Sequence, residues 1–235
     1  MISVCIATYN GERFIREQLC SILCQISPDD EIIISDDGST DNTLKIVREL
    51  KSPIIRVFTN NGQHGYTPNF ENALKHANGD YIFLSDQDDI WEPQKVKVCM
   101  EHLKNCDFVI SDATMVDAEN RIIAQSYCVE RRSRPGLLNN LIRFSYLGCC
   151  MAFGKDVLRK ALPFPPNHKC CTHDNWLGLV GLVFYKTVFL NDKLIRYRRY
   201  GNNTSAAGLE KTTSAWFKLK YRLYLVYWLL RRIKL

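Results

Sequence analysis

The sequence predicts an α/β protein with a mostly parallel central sheet and helices on both faces of that sheet. In the first half of the chain, short apolar runs alternate with helical patterns, and the connections between them are short. This alternation is typical of parallel sheets, whose strands are joined by helical crossovers. A length of 235 residues, with 46% hydrophobic and 24% charged side chains, fits an ordinary folded domain with a substantial core.

The first predicted strand, residues 2–7, is a continuous apolar run of the kind that is buried on both faces. A helical pattern over 12–25 follows, and strand and helix then continue to alternate. The other predicted strands of this half are 31–35, 54–58 and 81–84, and the other helices are 41–50, 67–77 and one that Glu92-Pro93 begins.

The second half is less regular. It is predicted to contain strands at 108–111 and 121–124, a basic loop at 131–135, a mixed segment at 144–153, a helix at 175–183, and two strands within 184–199 around Asn191-Asp192. No repeat or linker divides the chain. We therefore expect one domain over 1–205, with a first half to about residue 100 and a second half after it, followed by a tail at 206–235.

The positive charge is concentrated in that tail. The formal net charge is +6, yet seven of the 31 lysines and arginines fall within 211–235, where there is no acidic residue. The preceding 210 residues carry 24 basic against 25 acidic side chains. A nucleic-acid-binding protein would be expected to carry its positive charge on the folded body, so nucleic acid is not an expected partner.

The cysteines and the chain start predict a cytosolic protein. Ten cysteines are present, but the pairs Cys149-Cys150 and Cys170-Cys171 lack the spacing of zinc sites, and residues 1–4 lead straight into a strand without a secretory signal. No apolar run approaches the roughly 18 residues that span a bilayer. The run 223–230 has eight residues, which suits a membrane surface but not a crossing.

Acidic residues follow two of the predicted strands, where ligands bind in parallel sheets. Asp86-Gln87-Asp88-Asp89 brings three like charges together, which favours a neutralising cation, and oxygen ligands suit Mg²⁺ or Mn²⁺. The alternative is that Asp89 or its neighbour caps the next helix. After the second strand, Gly38 supplies a tight turn, and Ser39 or Asp41 can cap the next helix. One of the adjacent residues Asp36 and Asp37 then remains to bind a ligand, such as the N–H of a pyrimidine base.

Three segments together resemble the family 2 glycosyltransferases, which have the GT-A fold. They are Val4-Cys5-Ile6-Ala7-Thr8-Tyr9-Asn10-Gly11, Ile34-Ser35-Asp36-Asp37-Gly38-Ser39-Thr40-Asp41 and Phe83-Leu84-Ser85-Asp86-Gln87-Asp88-Asp89-Ile90-Trp91. Later segments resemble the rhamnosyltransferase-like branch: Gly148-Cys149, His173-Asp174-Asn175-Trp176 and the stretch from Tyr197 to Ser205. The matches occur in order from residue 2 to residue 205.

The resemblance implies a role for each matching residue. The nucleotide-sugar donor would be held by Thr8, Tyr9, Asp37, Asn69 and Asp86. Asp86 and Asp88 would bind the divalent metal, and Asp174 would be the base that takes a proton from the acceptor hydroxyl. Gly148 and Trp176 would form the acceptor pocket. The implied reaction inverts the anomeric centre, and the acceptor is a glycan, expected to be lipid-linked, in surface polysaccharide synthesis.

Two residues depart from the family pattern. Tyr200 stands where many relatives have His, which puts the metal geometry in doubt, although Arg198 or Arg199 could bind the diphosphate instead. His173 replaces an acid and is more often a structural residue than a catalyst. A binding module without turnover therefore remains an alternative, whereas a nucleotidyltransferase would not explain the matches at Gly148 and Trp176.

The tail is predicted to form an amphipathic helix with one apolar face. The residues at helical spacing on that face are Trp216, Leu219, Leu223, Val226, Leu230 and Ile233. This spacing fits packing against a core or a partner. Tyrosines, tryptophans and basic residues near both ends favour a membrane surface instead. We therefore expect a peripheral protein at the inner face of the cell membrane.

Overall fold

The computed structural model describes residues 1–201 and 214–233. Over residues 1–201 its strands are β1 (Ile2–Thr8), β2 (Glu31–Asp36), β3 (Ile55–Thr59), β4 (Tyr81–Asp86), β5 (Ile90–Trp91), β6 (Phe108–Val116), β7 (Ile122–Ala124), β8 (Met151–Gly154) and β9 (Thr187–Arg198). The helices of the described residues are α1 (Ile15–Leu23), α2 (Thr43–Glu49), α3 (Tyr66–Lys75), α4 (Lys95–Leu103), α5 (Tyr127–Glu130), α6 (Leu137–Ile142), α7 (Lys155–Ala161), α8 (His173–Phe184) and α9 (Ala215–Arg232).

The first half of the chain forms a parallel sheet in the order β3-β2-β1-β4. β1 lies inside it because its side chains are apolar on both faces, and helices then cover both faces. Each of the four strands begins within one residue of its predicted start. The α/β fold class with a largely parallel central sheet is confirmed.

The second half extends the same sheet with mixed strand directions. β8 runs antiparallel between β4 and β6, while β9 is parallel to β6 and antiparallel to β5. β7 forms an antiparallel hairpin on β6. Because β8 runs antiparallel to β4, the residues before β8 reach the carboxyl end of β4, and the end of β9 contacts the loop after β4 through Arg198. Residues from both halves of the chain therefore meet at the carboxyl edge of the first sheet.

Three details of the fold differ from the prediction. β9 is one strand, not two, because the ladder to β6 shifts register between Ile110 and Asp112 and leaves Asn191 and Asp192 exposed in an irregular stretch. α5, α6 and α7 were not predicted, since each is short and weakly periodic. α4 begins at Lys95, later than the Glu92-Pro93 signal indicates.

Helix α9 packs on the body through one side. Leu225 and Leu229 are buried, and the Arg232 guanidinium donates to the carbonyl of Pro163. The Tyr224 hydroxyl accepts a hydrogen bond of 2.9 Å from the backbone N–H of Asn167. Among the described residues, no helix combines the length and apolarity needed to cross a membrane.

Candidate active site

The ends of β1 and β2 are joined through the carbonyl oxygen of Thr8. This oxygen accepts hydrogen bonds from the backbone N–H of Asp37 at 2.9 Å and from the Asn69 side chain at 3.1 Å. The Thr8 hydroxyl donates to Asp36 at 2.8 Å. Thr8, Asp37 and Asn69 were each predicted to hold the donor, and the structure brings all three together at one edge of the sheet.

Asp37 fixes the loop that precedes α3. Its carboxylate accepts hydrogen bonds from the Asn60 amide at 2.7 Å and from the Gly65 backbone N–H at 2.8 Å, and its Oδ1 lies 3.1 Å from Nδ1 of His64. Gly65 has a φ of 123°, which only glycine adopts without strain. Asp37 is nearly buried, so its contact with a pyrimidine ring stays a prediction.

Tyr9 is held by its backbone and leaves its ring in solvent. The Gln87 side-chain amide accepts from the Tyr9 N–H at 2.9 Å and donates to the Tyr9 carbonyl at 3.0 Å. The Tyr9 residue is 56% exposed, so its ring is available to contact a nucleotide. Sequence reasoning missed Gln87, which joins the loop after β1 to residues 86–89 at the end of β4, called the acidic loop below.

Asp86, the last residue of β4, and the following Asp88 and Asp89 lie close together, and their negative charges repel one another. Burial, together with the charges of Asp88 and Asp174, raises the pKa of Asp86 to about 7. Burial also raises the pKa of Asp88. The pKa of the Asp89 carboxyl is raised well above its usual value by burial and by the charges of Asp88 and Asp86. A cation bound among these groups would favour their ionised forms.

Potential metal-ligand atoms of Asp86, Asp89 and Cys149 all lie within 4.8 Å of one another. Oδ2 of Asp89 is buried and accepts no hydrogen bond from the described residues. An unpartnered carboxylate oxygen beside a second carboxylate fits a divalent cation. The predicted metal ligands were Asp86 and Asp88, within a cluster that also contained Asp89, so Cys149 is the member of this group that sequence reasoning missed.

Asp89 does not cap α4. Its Oδ1 accepts a hydrogen bond of 3.0 Å from the backbone N–H of Arg198, at the end of β9. The alternative interpretation of Asp89 as a helix cap is therefore wrong, because a strand from the second half of the chain supplies its donor instead.

Tyr200 contacts the acidic loop directly. Its hydroxyl donates a hydrogen bond of 2.9 Å to Oδ2 of Asp88, and its ring lies 5.0 Å from that of Phe14. Burial and the charge of Asp88 raise the pKa of the Tyr200 hydroxyl, so it remains a neutral donor. The residue that departs from the family pattern thus contacts one of the two predicted metal ligands.

Two buried cations hold the acidic loop in place. The Arg198 guanidinium donates to the carbonyl of Asp88 and to the carboxylate of Glu17, each at 2.8 Å. Lys95 donates to the carbonyl of Cys149 at 2.6 Å, and burial lowers the pKa of its amine. Arg198 is 2% exposed, so the suggestion that its side chain binds a diphosphate is wrong for this structure.

Asp174 lies in the first turn of α8. The Thr172 hydroxyl and the Asn175 N–H both donate to its Oδ1, and the described residues place no hydrogen bond on Oδ2. The Asp174 Cβ lies 3.5 Å from the point where a Cβ of Gly148 would stand, and the next residue, Cys149, has its sulfur within 4.8 Å of the Asp86 carboxylate. The predicted base therefore faces the same region as the predicted metal ligands.

Gly148 and His173 are in close contact. A Cβ atom at Gly148 would lie 2.6 Å from Nε2 of His173, so only glycine fits this position. The His173 ring stacks on Phe70 with a centroid separation of 4.1 Å, and burial lowers its pKa. The structural role expected of His173 agrees with this packing. The predicted acceptor contact of Gly148 is not needed to explain its glycine.

Trp176 is fully buried and offers no surface to an acceptor. Its indole N–H donates to the Ala161 carbonyl at 2.8 Å, and the Arg232 guanidinium lies over its ring at 5.6 Å. The prediction that Trp176 lines an acceptor pocket is therefore corrected. Its packing instead fixes α8, the helix that carries Asp174.

An open cavity of about 730 Å³ lies between the loop before α3 and the loop before α8. Its walls come from residues 63–68 and 166–169, and from Thr172. Thr172 also bonds Asp174, so the cavity lies next to the predicted base. Residues 202–205, the last part of the matching segment that starts at Tyr197, lie outside the described residues.

Comparison with protein families identifies the chain. The family model described as Glycosyl transferase family 2 matches residues 3–162. The chain belongs to glycosyl transferase family 2. The match covers the three segments that contain the ends of β1, β2 and β4, and it includes Asp86 and Asp88, the two predicted metal ligands.

Relatives of this family 2 glycosyltransferase span most of its length. The dTDP-rhamnosyl transferase RfbG of Shigella flexneri is 33% identical over 235 residues, with 92% of this chain and 76% of that protein covered. WfgD of Escherichia coli, a UDP-Glc:alpha-D-GlcNAc-diphosphoundecaprenol beta-1,3-glucosyltransferase, is 28% identical, with 72% of this chain and 66% of that protein covered.

Solved structures show that this family 2 glycosyltransferase has the GT-A fold. S. aureus TarS in complex with UDP-GlcNAc superimposes with a TM-score of 0.70 at 22% identity, over 88% of this chain and 61% of that chain. The mannosyltransferase PcManGT of Pyrobaculum calidifontis, in complex with GDP-Man and Mn2+, gives a TM-score of 0.64 at 18% identity, over 98% of this chain and 64% of that chain. The chain thus spans less than two thirds of each of these two structures.

Proposed function

We propose that this glycosyltransferase transfers a sugar from a nucleoside-diphosphate donor to a hydroxyl of a lipid-linked glycan, with inversion and with a bound divalent metal. The observation that carries the proposal is the position of Asp174 beside Gly148-Cys149, because the sulfur of Cys149 lies within 4.8 Å of the Asp86 carboxylate at the end of β4. These carboxylates supply the two functions that such a transfer needs: a cation site for the leaving group and a base for the nucleophile.

The donor side is formed by the loops after β1 and β2. Tyr9 presents an exposed ring, and Asp37 and Asn69 order the backbone around it. A nucleoside placed against Tyr9 directs its diphosphate toward Asp86 and Asp88, because Gln87 joins Tyr9 to the acidic loop. The comparison structures of TarS and PcManGT contain nucleotide sugars, which supports this class of donor.

The metal would be Mg²⁺ or Mn²⁺. Asp86 and Asp89 offer carboxylate oxygens within 4.8 Å of each other, and Asp88 lies between them in the chain. When bound, the cation would neutralise the charge that develops on the departing diphosphate. Lys95 and Arg198 support the loop from beneath, so the carboxylates keep their positions when the donor arrives.

Asp174 would act as the base. Its Oδ1 is held by Thr172 and Asn175, so the carboxylate is oriented and Oδ2 can accept the proton of the acceptor hydroxyl. The hydroxyl oxygen then attacks the anomeric carbon from the face opposite the leaving diphosphate. A single displacement of this kind inverts the anomeric centre.

The acceptor would enter through the cavity next to Thr172. The relative WfgD is named for an acceptor that carries a diphosphoundecaprenol lipid, which supports a lipid-linked glycan here. The basic side chains of His168 and Lys169 border the cavity and suit a phosphate group on such an acceptor. A lipid-linked acceptor would place the protein at the inner face of the cell membrane, in surface polysaccharide synthesis.

The test is release of nucleoside diphosphate from a panel of nucleotide sugars with Mn²⁺ and lipid-linked acceptors. In Asp174→Asn, the amide oxygen can still accept the hydrogen bonds from Thr172 and Asn175, but the side chain cannot take a proton. We therefore expect turnover to fall by about 10²–10⁴-fold, with the affinity for the donor unchanged. The matched control is Asp156→Asn, since the Asp156 side chain is 78% exposed and pairs only with a surface arginine among the described residues.

Equal loss of turnover in both variants would contradict the role of Asp174. A wild-type protein that binds a nucleotide sugar but turns over none of the panel would favour the alternative, a nucleotide-sugar-binding or glycan-binding module. The bond from Tyr200 to Asp88 is the observation that keeps this alternative in view.

A further inference from the structure

The C-terminal helix α9 has two apolar sides, and the body covers only one of them. Leu225 is 1% exposed and Leu229 is 6% exposed, and both face the domain. The other side, together with the residue that directly follows the helix, carries six exposed apolar residues: Trp216 at 74%, Leu219 at 46%, Leu223 at 61%, Val226 at 38%, Leu230 at 57% and Ile233 at 63%. We call these six residues the outer face of α9. They follow helical spacing along a helix about 27 Å long.

Helix α6 adds apolar surface next to the outer face. The Arg222 guanidinium donates to the carbonyl of Leu141 at 3.0 Å and to that of Ile142 at 2.6 Å, which ties the end of α6 to α9. On α6, Leu138 is 75% exposed and Ile142 is 64% exposed. An exposed apolar area that continues over two helices marks an interaction surface.

The charge around the outer face selects its partner. Lys218, Lys220 and Arg231 are exposed on α9, and no acidic residue occurs within 211–235. A cationic helix with an uninterrupted apolar row and interfacial Trp and Tyr side chains suits an anionic lipid surface. In that setting the apolar row enters the acyl boundary, and the long basic side chains reach the headgroups.

We propose that the outer face of α9 is a docking surface for an anionic lipid membrane. Membrane docking by this surface does not depend on the transfer reaction. That docking brings a lipid-linked acceptor close to its cavity rests on the proposed function. The inner side of α9 holds the cavity wall, because Tyr224 accepts from the Asn167 N–H and Arg232 donates to the Pro163 carbonyl. One helix, about 10 Å thick, then separates the lipid from the loop that borders the acceptor cavity.

The test is co-sedimentation of the full chain with vesicles of phosphatidylcholine, with and without phosphatidylglycerol. We expect binding to the anionic vesicles to be at least about tenfold stronger, since each basic side chain near such a surface contributes roughly fivefold. Added salt should weaken it. The double variant Leu219→Gln, Leu223→Gln should bind at least about tenfold more weakly, because it removes two apolar side chains from the row.

The matched control is Ile122→Gln, Ile123→Gln on β7, where the two side chains are 58% and 56% exposed. It should bind like the wild type. Absence of wild-type binding, or equal binding by both double variants, would overturn the proposal. A dimer that sedimentation velocity detects without lipid, and that the Leu219→Gln, Leu223→Gln variant loses, would make the outer face a protein interface instead.

Transfer to a soluble acceptor without lipid separates this proposal from the proposed function. The α9 variant should keep that activity, since both changed side chains are exposed and distant in sequence from the site residues. Vesicle binding without any transfer by the wild type would retain the docking surface and reject the proposed reaction. Transfer by a wild-type protein that does not bind vesicles would retain the proposed reaction and reject the docking surface.

Discussion

Gly148→Ala is expected to destabilise the protein and to displace the helix that carries Asp174. The new Cβ would lie 2.6 Å from Nε2 and 3.2 Å from Cδ2 of His173, where ordinary contact begins at 3.4 Å. His173 cannot move aside easily, because its ring is buried, stacks on Phe70 at 4.1 Å and meets the edge of Tyr66 at 5.8 Å. The strain must therefore move α8 or the segment of Gly148.

The magnitude follows from the size of this overlap. The overlap with Nε2 is about 0.8 Å, and overpacking of a core by one methyl group costs about 1–3 kcal/mol. At roughly 2–4 °C for each kcal/mol in a protein of this size, the midpoint of thermal unfolding should fall by about 2–12 °C. A shift of the base by about 1 Å should also lower kcat by up to ~100-fold.

A double-mutant cycle with His173→Ala tests the cause. Removing the imidazole frees the space, so Gly148→Ala should cost almost nothing in the His173→Ala background. Gly154→Ala is the matched control, because a Cβ there would meet nothing closer than 3.9 Å and its φ of −73° suits alanine. Calorimetry and steady-state kinetics provide the two readouts.

The reasoning would be refuted by a Gly148→Ala variant with wild-type thermal stability and a raised KM for the acceptor alone. That result would mean that Gly148 makes room for the acceptor, as the family resemblance implies, and that His173 adjusts at no cost. Independent effects of the two substitutions on stability would equally contradict the packing explanation.

Two further predictions concern carboxylates. Burial and the charges of Asp88 and Asp174 raise the pKa of Asp86 to about 7, so below that pH a proton competes with Mn²⁺ for the carboxylate. The affinity for Mn²⁺, measured by titration calorimetry, should fall up to about tenfold for each pH unit below 7. An affinity that does not depend on pH would contradict this. Burial alone would raise the pKa of Glu31, yet hydrogen bonds from Ser3, Asn78 and Arg56 hold it below 4.5. The ionised form therefore stabilises the fold above pH 4.5, and this stability is lost as the pH falls through the lowered pKa of the folded state. Glu31→Gln should lower the free energy of unfolding by denaturant by about 1.5–3 kcal/mol at pH 7 and by less near pH 4. An equal loss at both pH values would argue against stabilisation by the ionised carboxylate.

The parts of the fold that the sequence predicted are those specified locally. β1, β2 and β4 are apolar runs ended by polar residues, so their bounds and the position of Thr8, Asp37 and Asp86 at one edge were predictable. β9 was not, because Asn191-Asp192 resembles a turn but lies in an irregular stretch of a single strand. A register shift depends on the partner strand, which no local pattern specifies.

The site was predicted less completely, because several of its contacts join distant parts of the chain. A helix cap was an alternative role for Asp89 because its bond to the Arg198 N–H joins residues that are 109 positions apart, which no local pattern indicates. Cys149 joins Asp86 and Asp89 only after β8 packs beside β4. The apolar row of α9 was found by its spacing, yet Leu225 and Leu229 are the residues that pack on the body, and spacing alone cannot say which side is covered.

Among the described residues, the buried cations beside the acidic loop donate side-chain hydrogen bonds to backbone carbonyls and not to its carboxylates. Arg198 and Lys95 neutralise the region electrostatically, but they donate their hydrogen bonds to the carbonyls of Asp88 and Cys149. Of the carboxylate oxygens, Asp89 Oδ1 accepts from the Arg198 N–H and Asp88 Oδ2 accepts from the Tyr200 hydroxyl, whereas the buried Asp89 Oδ2 has no hydrogen bond from the described residues. Repulsion among them is relieved by protonation, which the raised pKa of Asp86 reflects, or by a divalent cation. Under the proposed function, a site in this state would favour joint binding of a divalent cation and a diphosphate, since the positive charge of one offsets the negative charge of the other.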